Sequence, residues 1–143
     1  QTNADMLRFV RRMIALRKRH PCLMRRRFLN GSAVNGRDIP DVSWHGIDID
    51  APLWNDPDAQ VLAFTLAAVA DGEADMHVML NLSDSGIDME VPAIHGRELR
   101  LALDTGLAAP DDIVSPEQQT SFSEKRYPVA AQTVVVFEAV AVF

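Results

Sequence analysis

The spacing of apolar positions changes once along the chain, and the change divides it in two. From Ala4 to Arg19, Met6, Phe9, Val10, Met13, Ile14 and Leu16 recur at steps of three and four, which gathers them on one side of an α-helix. Thr2 followed three residues later by Asp5 has the form of a capping box. His20-Pro21 closes the run, because proline disfavours helical backbone in the residue before it. The spacing therefore predicts one amphipathic helix. Its apolar stripe is wide enough that it must dock on something, either the rest of this chain or a part of a larger protein.

Beyond a loop from Phe28 to Arg37, marked by the turn pairs Asn30-Gly31 and Asn35-Gly36, the period becomes two. Ile87-Asp88-Met89-Glu90-Val91 puts three apolar side chains on one face and two carboxylates on the other. Leu99, Leu101 and Leu103 alternate with Glu98, Arg100 and Ala102. Met76, Val78, Leu80 and Leu82 alternate again, and Ser83-Asp84-Ser85-Gly86 then predicts a hairpin into the Ile87 strand. Val61 to Val69 and Thr133 to Val140 are more continuously apolar, as central strands covered on both faces are, while Asp41 to Ile47 reads as a weaker edge strand. Pro40, Pro52, Pro57, Pro92, Pro110, Pro116 and Pro128 all fall between these runs, and Thr105 to Arg126 reads as one long polar loop. The expected fold is mainly β: an antiparallel β-sandwich preceded by one N-terminal amphipathic helix.

Composition narrows the setting. A chain of 143 residues supports one buried core, and its apolar runs fall short of the ~20 residues that span a bilayer. The start, Gln1-Thr2-Asn3-Ala4-Asp5, has neither an initiator Met nor a secretory signal, so a fragment or processed chain is expected. The single cysteine, Cys22, excludes an internal disulfide. Without Cys or His companions at ligand spacing it predicts no metal site, and a reducing, cytoplasmic location is the default. Nine of the fourteen Lys and Arg residues precede Phe28 with only Asp5 against them, leaving +8 before that point and -14 after it. A free basic arm could bind nucleic acid or an anionic membrane, but a helix seated beside an acidic body gives the same asymmetry. The interleaved apolar face favours the second, so neither nucleic acid nor membrane is expected as a partner.

The chain is silent on catalysis. Asp48 with Asp50, Asp56 with Asp58, and Asp111 with Asp112 are the candidate carboxylate pairs. All three lie in Pro- or Gly-bearing segments, without apolar surroundings to raise one pKa, and read as solvated loop acids. Asp104 to Asp112 lacks the ligand spacing of a calcium loop. His20, His45, His77 and His95 show no helical metal pair, His77 taking an outward strand position and His95 a turn. Cys22 has arginines nearby but no base, and no serine stands in a nucleophile elbow. What remains is Trp44 and Trp54, with His45 beside the first. Exposed indoles stack on sugar rings, so these three are the candidate carbohydrate-binding residues; packing in a core or interface is the competing role.

Several segments together resemble a known family. Phe9-Val10-Arg11-Arg12-Met13-Ile14-Ala15-Leu16-Arg17 with His20-Pro21, continued by Arg25 to Phe28, resembles the last barrel helix of α-amylase-superfamily enzymes. Trp44-His45-Gly46, Pro52 with Trp54-Asn55-Asp56, and Leu62-Ala63-Phe64-Thr65-Leu66 are similar to the isoamylase-type glycogen and starch debranching enzymes. So are Leu80-Asn81-Leu82-Ser83, Asp104-Thr105-Gly106 and Ala109-Pro110-Asp111-Asp112, in the same order. The resemblance implies a parent that hydrolyses α-1,6-glucosidic branch points with a retaining mechanism. Its aspartate nucleophile, glutamate acid/base and stabilising aspartate would sit on upstream barrel loops, none of them on this chain. It also implies that residues 1–27 are the last helix of that barrel plus a connector, and that residues 28–143 are a C-terminal β-sandwich which stabilises the barrel and contacts branched α-glucan. An autonomous carbohydrate-binding module using Trp44 and Trp54 is the alternative. No cofactor is expected. Without the barrel, Met6, Phe9, Met13 and Ile14 would be left as an apolar patch through which the chain self-associates.

Overall fold

The computed structural model describes residues 2–34 and 36–142. Asn35, half of one predicted turn, lies outside them, as do the two terminal residues Gln1 and Phe143. The N-terminal helix α1 spans Asn3–Lys18, and its capping box forms as predicted: Asp5 donates its backbone N–H to the Thr2 hydroxyl, and Thr2 donates its own to the Asp5 carboxylate. Arg17 and Lys18 complement the helix dipole in the last turn, and a single 3₁₀ turn, Pro21–Met24, follows.

Among the described residues eight strands follow: β1 Val42–His45, β2 Val61–Leu66, β3 Asp75–Asn81, β4 Ile87–Glu90, β5 Arg97–Asp104, β6 Ser121–Phe122, β7 Arg126–Val129 and β8 Thr133–Ala141. Six form an antiparallel sheet in the order β1-β2-β3-β8-β5-β6, and β4 pairs with β7 as a second, two-stranded sheet. The expected fold class is borne out, with β1 on the edge and β8 in the interior. Alternation then divides the large sheet's side chains. Ala63, Met79, Val135, Phe137 and Ala139 meet Met89 and Val129 of the small sheet to form the main core. On the opposite face Val42, Leu66, Met76, Leu103 and Val136 form a second core with Cys22, Ile113 and half-buried Phe9. Helix α1 therefore packs on the side of the large sheet that the small sheet leaves open.

Four expectations are corrected. β3 and β4 are not a hairpin: β2 and β8 occupy both edges of β3, so Ser83–Gly86 carries the chain to the other layer, and β4 finds β7 instead. Period-two alternation says which face is apolar and nothing about the neighbour. The Asn81 amide fixes this crossing by donating to the carbonyls of Ser85, Val129 and Ala130, and Leu82, predicted to share the strand's face, is exposed. The leucine alternation in β5 breaks at a bulge between Leu101 and Leu103, which sends Leu103 to the helix side. The long polar loop contains a 3₁₀ turn at Pro116–Gln118, the edge strand β6 and the start of β7. Pro128 lies inside β7, opposite Asp88, which is tolerated because a strand in a two-stranded sheet has a free edge.

The basic helix does sit beside an acidic body. Arg8 reaches Asp112 at 2.5 Å, Arg19 forks onto both Glu138 oxygens at 2.8 and 2.9 Å, and Arg25 reaches Asp41 at 3.1 Å. Asp112 is thus no solvated loop acid but a buried partner of the helix.

Candidate functional site

Two surfaces stand out, and the first is aromatic. Trp44 on β1 pairs in register with Phe64 on β2, so both rings share one face, 5.5 Å apart. Trp54, from the loop joining these strands, stands edge-on to Trp44, also at 5.5 Å. Relative exposures of 41% and 61% leave the two indoles open to solvent. Gly46 lets the loop fold this tightly, because a Cβ there would lie 2.4 Å from the Ala51 carbonyl oxygen and 3.1 Å from the Leu53 side chain.

His45, the third candidate, takes the opposite side of β1 and is buried beneath that loop. Asp50 donates its backbone N–H to Nδ1 at 2.8 Å, which leaves the ring proton on Nε2 to be donated to Thr65 Oγ1 at 2.9 Å. The Thr65 hydroxyl can then donate to His77 Nδ1 at 2.9 Å. His77 is fully buried, not outward as expected, because both faces of β3 are covered. Its Nε2 has no partner among the described residues. Burial, aided by neighbouring His45, pushes the His77 pKa down to about 3, and burial also lowers that of His45 against the opposing pull of Asp50 and Glu90. Both rings are neutral at pH 7. The structure thus brings Trp44 and Trp54 together at the surface and sets His45 behind them, holding the loop.

The second surface is apolar. Beside α1 a groove of about 600 Å³ is walled by Val10, Met13, Ile14 and Leu23 on one side and by Val78 and Val134 on the other. Only Leu16 of the helix is fully buried; Met6, Leu7, Val10, Met13 and Ile14 are 37–51% exposed.

A third grouping escaped the sequence. His20, Cys22 and Glu73 are all buried, with one ligand-capable atom from each within 4.8 Å of the others. Glu73 lies 51 residues from Cys22, a separation that no spacing rule covers.

Residues 43–141 match the family described as Isoamylase 1-3, C-terminal. The chain belongs to that family. It is also 28% identical over 142 residues to "Isoamylase 2, chloroplastic" of Oryza sativa subsp. japonica, a match covering 92% of this chain and 17% of that protein. The isoamylase resemblance read from the motifs is therefore borne out, and this isoamylase-type domain spans about a sixth of the length of the curated relative it matches. Its aromatic patch lies within the matched residues, whereas α1 precedes them. Among the described residues no helix is long and apolar enough to cross a membrane.

Proposed function

We propose that this chain is the non-catalytic C-terminal part of a debranching glycosidase, that residues 1–27 are the last helix and connector of an upstream (β/α)8 barrel, and that residues 28–143 are the sandwich which stabilises it. The carrying observation is the apolar face of α1, of which the sandwich covers only the Leu16 and Phe9 side. An apolar surface of that extent marks an interface. In the full-length enzyme the substitutions Val10→Asp and Ile14→Asp should lower Tm by several degrees and reduce α-1,6-glucan hydrolysis as the barrel loosens. An unchanged Tm and activity would refute the docking role. In the isolated chain the same face drives self-association, which light scattering reads as concentration-dependent mass. The double substitution should return it to a monomer. A cytoplasmic setting belongs to this proposal, and fractionation of cells expressing the full-length protein tests it.

A second reading is favoured by the paired, exposed indoles: contact with branched α-glucan, Trp44 and Trp54 stacking on sugar rings while His45 holds their loop. Titration with maltooligosaccharides should give a saturable change in tryptophan fluorescence that Trp54→Ala abolishes. A linear, unsaturable response would sink this contact while leaving the docking role intact.

A further inference from the structure

His20 lies between two carboxylates that treat its two nitrogens differently. Glu138, on the helix-side face of β8, accepts from Arg19 and Gln119 and makes a short hydrogen bond with His20 Nε2. A carboxylate held by those donors is ionised, so the proton in that contact belongs to Nε2. Nδ1 then presents a lone pair. It is buried, has no hydrogen-bond partner among the described residues, and faces Glu73 Oε1 at 3.8 Å, which is another acceptor. Two facing acceptors in a dry interior need something positive between them.

Glu73 is fixed as firmly as His20. Its Oε1 accepts the Cys22 backbone N–H at 2.8 Å, and its Oε2 those of Val69 at 2.7 Å and Ala70 at 3.0 Å. The carboxylate therefore cannot swing away to find another donor. The Cys22 thiol, kept protonated by burial and by the Glu73 carboxylate to which it donates, completes the group, and it is the one cysteine of the chain, buried where no disulfide can form. We propose that His20 Nδ1, Cys22 Sγ and Glu73 Oε1 form a binding site for a divalent transition-metal ion of the zinc class. Nitrogen, sulfur and carboxylate oxygen together are the donor set zinc prefers. The hydrogen bond from Nε2–H to Glu138 is the outer contact that fixes the tautomer of a metal-bound histidine. These three residues leave a fourth coordination position open.

Position in the fold says what such an ion would do. His20 and Cys22 lie on the short turn after α1, and Glu73 lies on the bend before β3, so the ion would tie the helix connector to the large sheet. Binding replaces the thiol S–H bond with a sulfur–metal bond and releases that proton to solvent, one per ion.

Cobalt(II) provides the test, because a thiolate ligand gives a near-ultraviolet charge-transfer band that oxygen and nitrogen ligands do not. Titrating the apo chain with cobalt(II) should raise this band to a plateau at one ion per chain. Equimolar zinc should bleach it, and Cys22→Ser should lack it. In a parallel melt, zinc at a hundredfold excess over its Kd should raise Tm by about 10 °C, EDTA should reverse the rise, and Cys22→Ser should show none of it. Glu138→Gln should keep the band but weaken binding by about 10–100-fold. Absence of the band in a chain shown to be folded by circular dichroism would overturn the site, with a second proton on Nδ1 then filling the gap. A band that persists in Cys22→Ser would overturn it equally.

Discussion

Acid should destabilise this domain from about pH 6.5 downward, and His77 is the reason. The ring is buried, with Nδ1 taken by Thr65, and its pKa falls from 6.5 to about 3 chiefly through burial. A depressed histidine contributes no penalty above its unfolded pKa. Below 6.5 the unfolded chain takes up a proton that the folded chain refuses, so stability falls as pH drops toward 3, at up to ~1.4 kcal/mol per pH unit. Between pH 7.5 and 5.0 that amounts to about 2 kcal/mol, or roughly 5–8 °C in Tm for a domain of this size. Lowered His45 adds in the same direction. Glu138 does not confuse the result: although burial opposes ionisation, Arg19, His20 and Gln119 hold its pKa at about 2, and its contribution is lost only between pH 4.5 and 2. The assay is urea unfolding followed by far-ultraviolet circular dichroism at both pH values, in the parent chain and in His77→Asn. Asparagine can still accept from Thr65 but does not titrate. The loss between the two pH values should shrink by about 2 kcal/mol in His77→Asn. An equal loss in both proteins would refute the assignment, whatever the variant costs at pH 7.5.

Three further outcomes are expected. Asp75 is fully buried and takes both Arg37 amino groups, at 2.7 and 2.6 Å, along with the backbone N–H of Ala68. Asp75→Ala should cost ~3–5 kcal/mol in urea unfolding by leaving charge and donors without their acceptor. Asn81→Ala removes the amide that clips the crossing between sheets and should cost ~2–3 kcal/mol, measured the same way. Gly46→Ala drives a Cβ into the Ala51 carbonyl and should cost ~1–3 kcal/mol, with the added readout that Trp54 fluorescence shifts as its loop lifts.

What the sequence carried was whatever depends on local periodicity. The helix, its capping box and the edge position of β1 follow from spacing, because each is fixed by residues within a few positions of one another. The partner of β4 was not legible, since Ile87 and Met89 look the same whether the strand pairs with β3 or with β7. β7 itself was hidden by Pro128, which argues against an interior strand and not against one in a two-stranded sheet. His77 departs from its expected outward position for a related reason: alternation assigns polar residues to solvent, and it fails where both faces of a sheet are covered. Trp44 and Trp54 were recognisable as residue types, but their contact depends on the fold of the β1–β2 loop over Gly46. The gathering of His20, Cys22 and Glu73 is a long-range event with no local signature.

The large sheet has two apolar faces and only one dedicated cover. The small sheet closes the inner face, while on the outer one α1 is held near its ends by charge: Arg8 to Asp112 and Arg19 to Glu138. These anchors are eleven residues apart, or ~16 Å along the helix axis, and between them Val10, Met13 and Ile14 stand half open. Both carboxylates are buried, so breaking either pair costs more than breaking a surface ion pair, and the two together fix the helix in direction and register. The groove beside it is therefore held open and not collapsed, so a segment docking there would spend little on ordering α1. A helix that belonged to this domain alone would gain more by rolling its stripe onto Val78 and Val134. That it is pinned short of doing so fits a helix whose remaining face belongs to a larger protein. Replacing both anchors, with Arg8→Ala and Arg19→Ala, should therefore cost the isolated chain little more than the ion pairs themselves, because the freed helix can settle into the groove. In the full-length protein the same pair should cost more. A penalty as large in the isolated chain as in the full-length protein would show that α1 belongs to the sandwich alone.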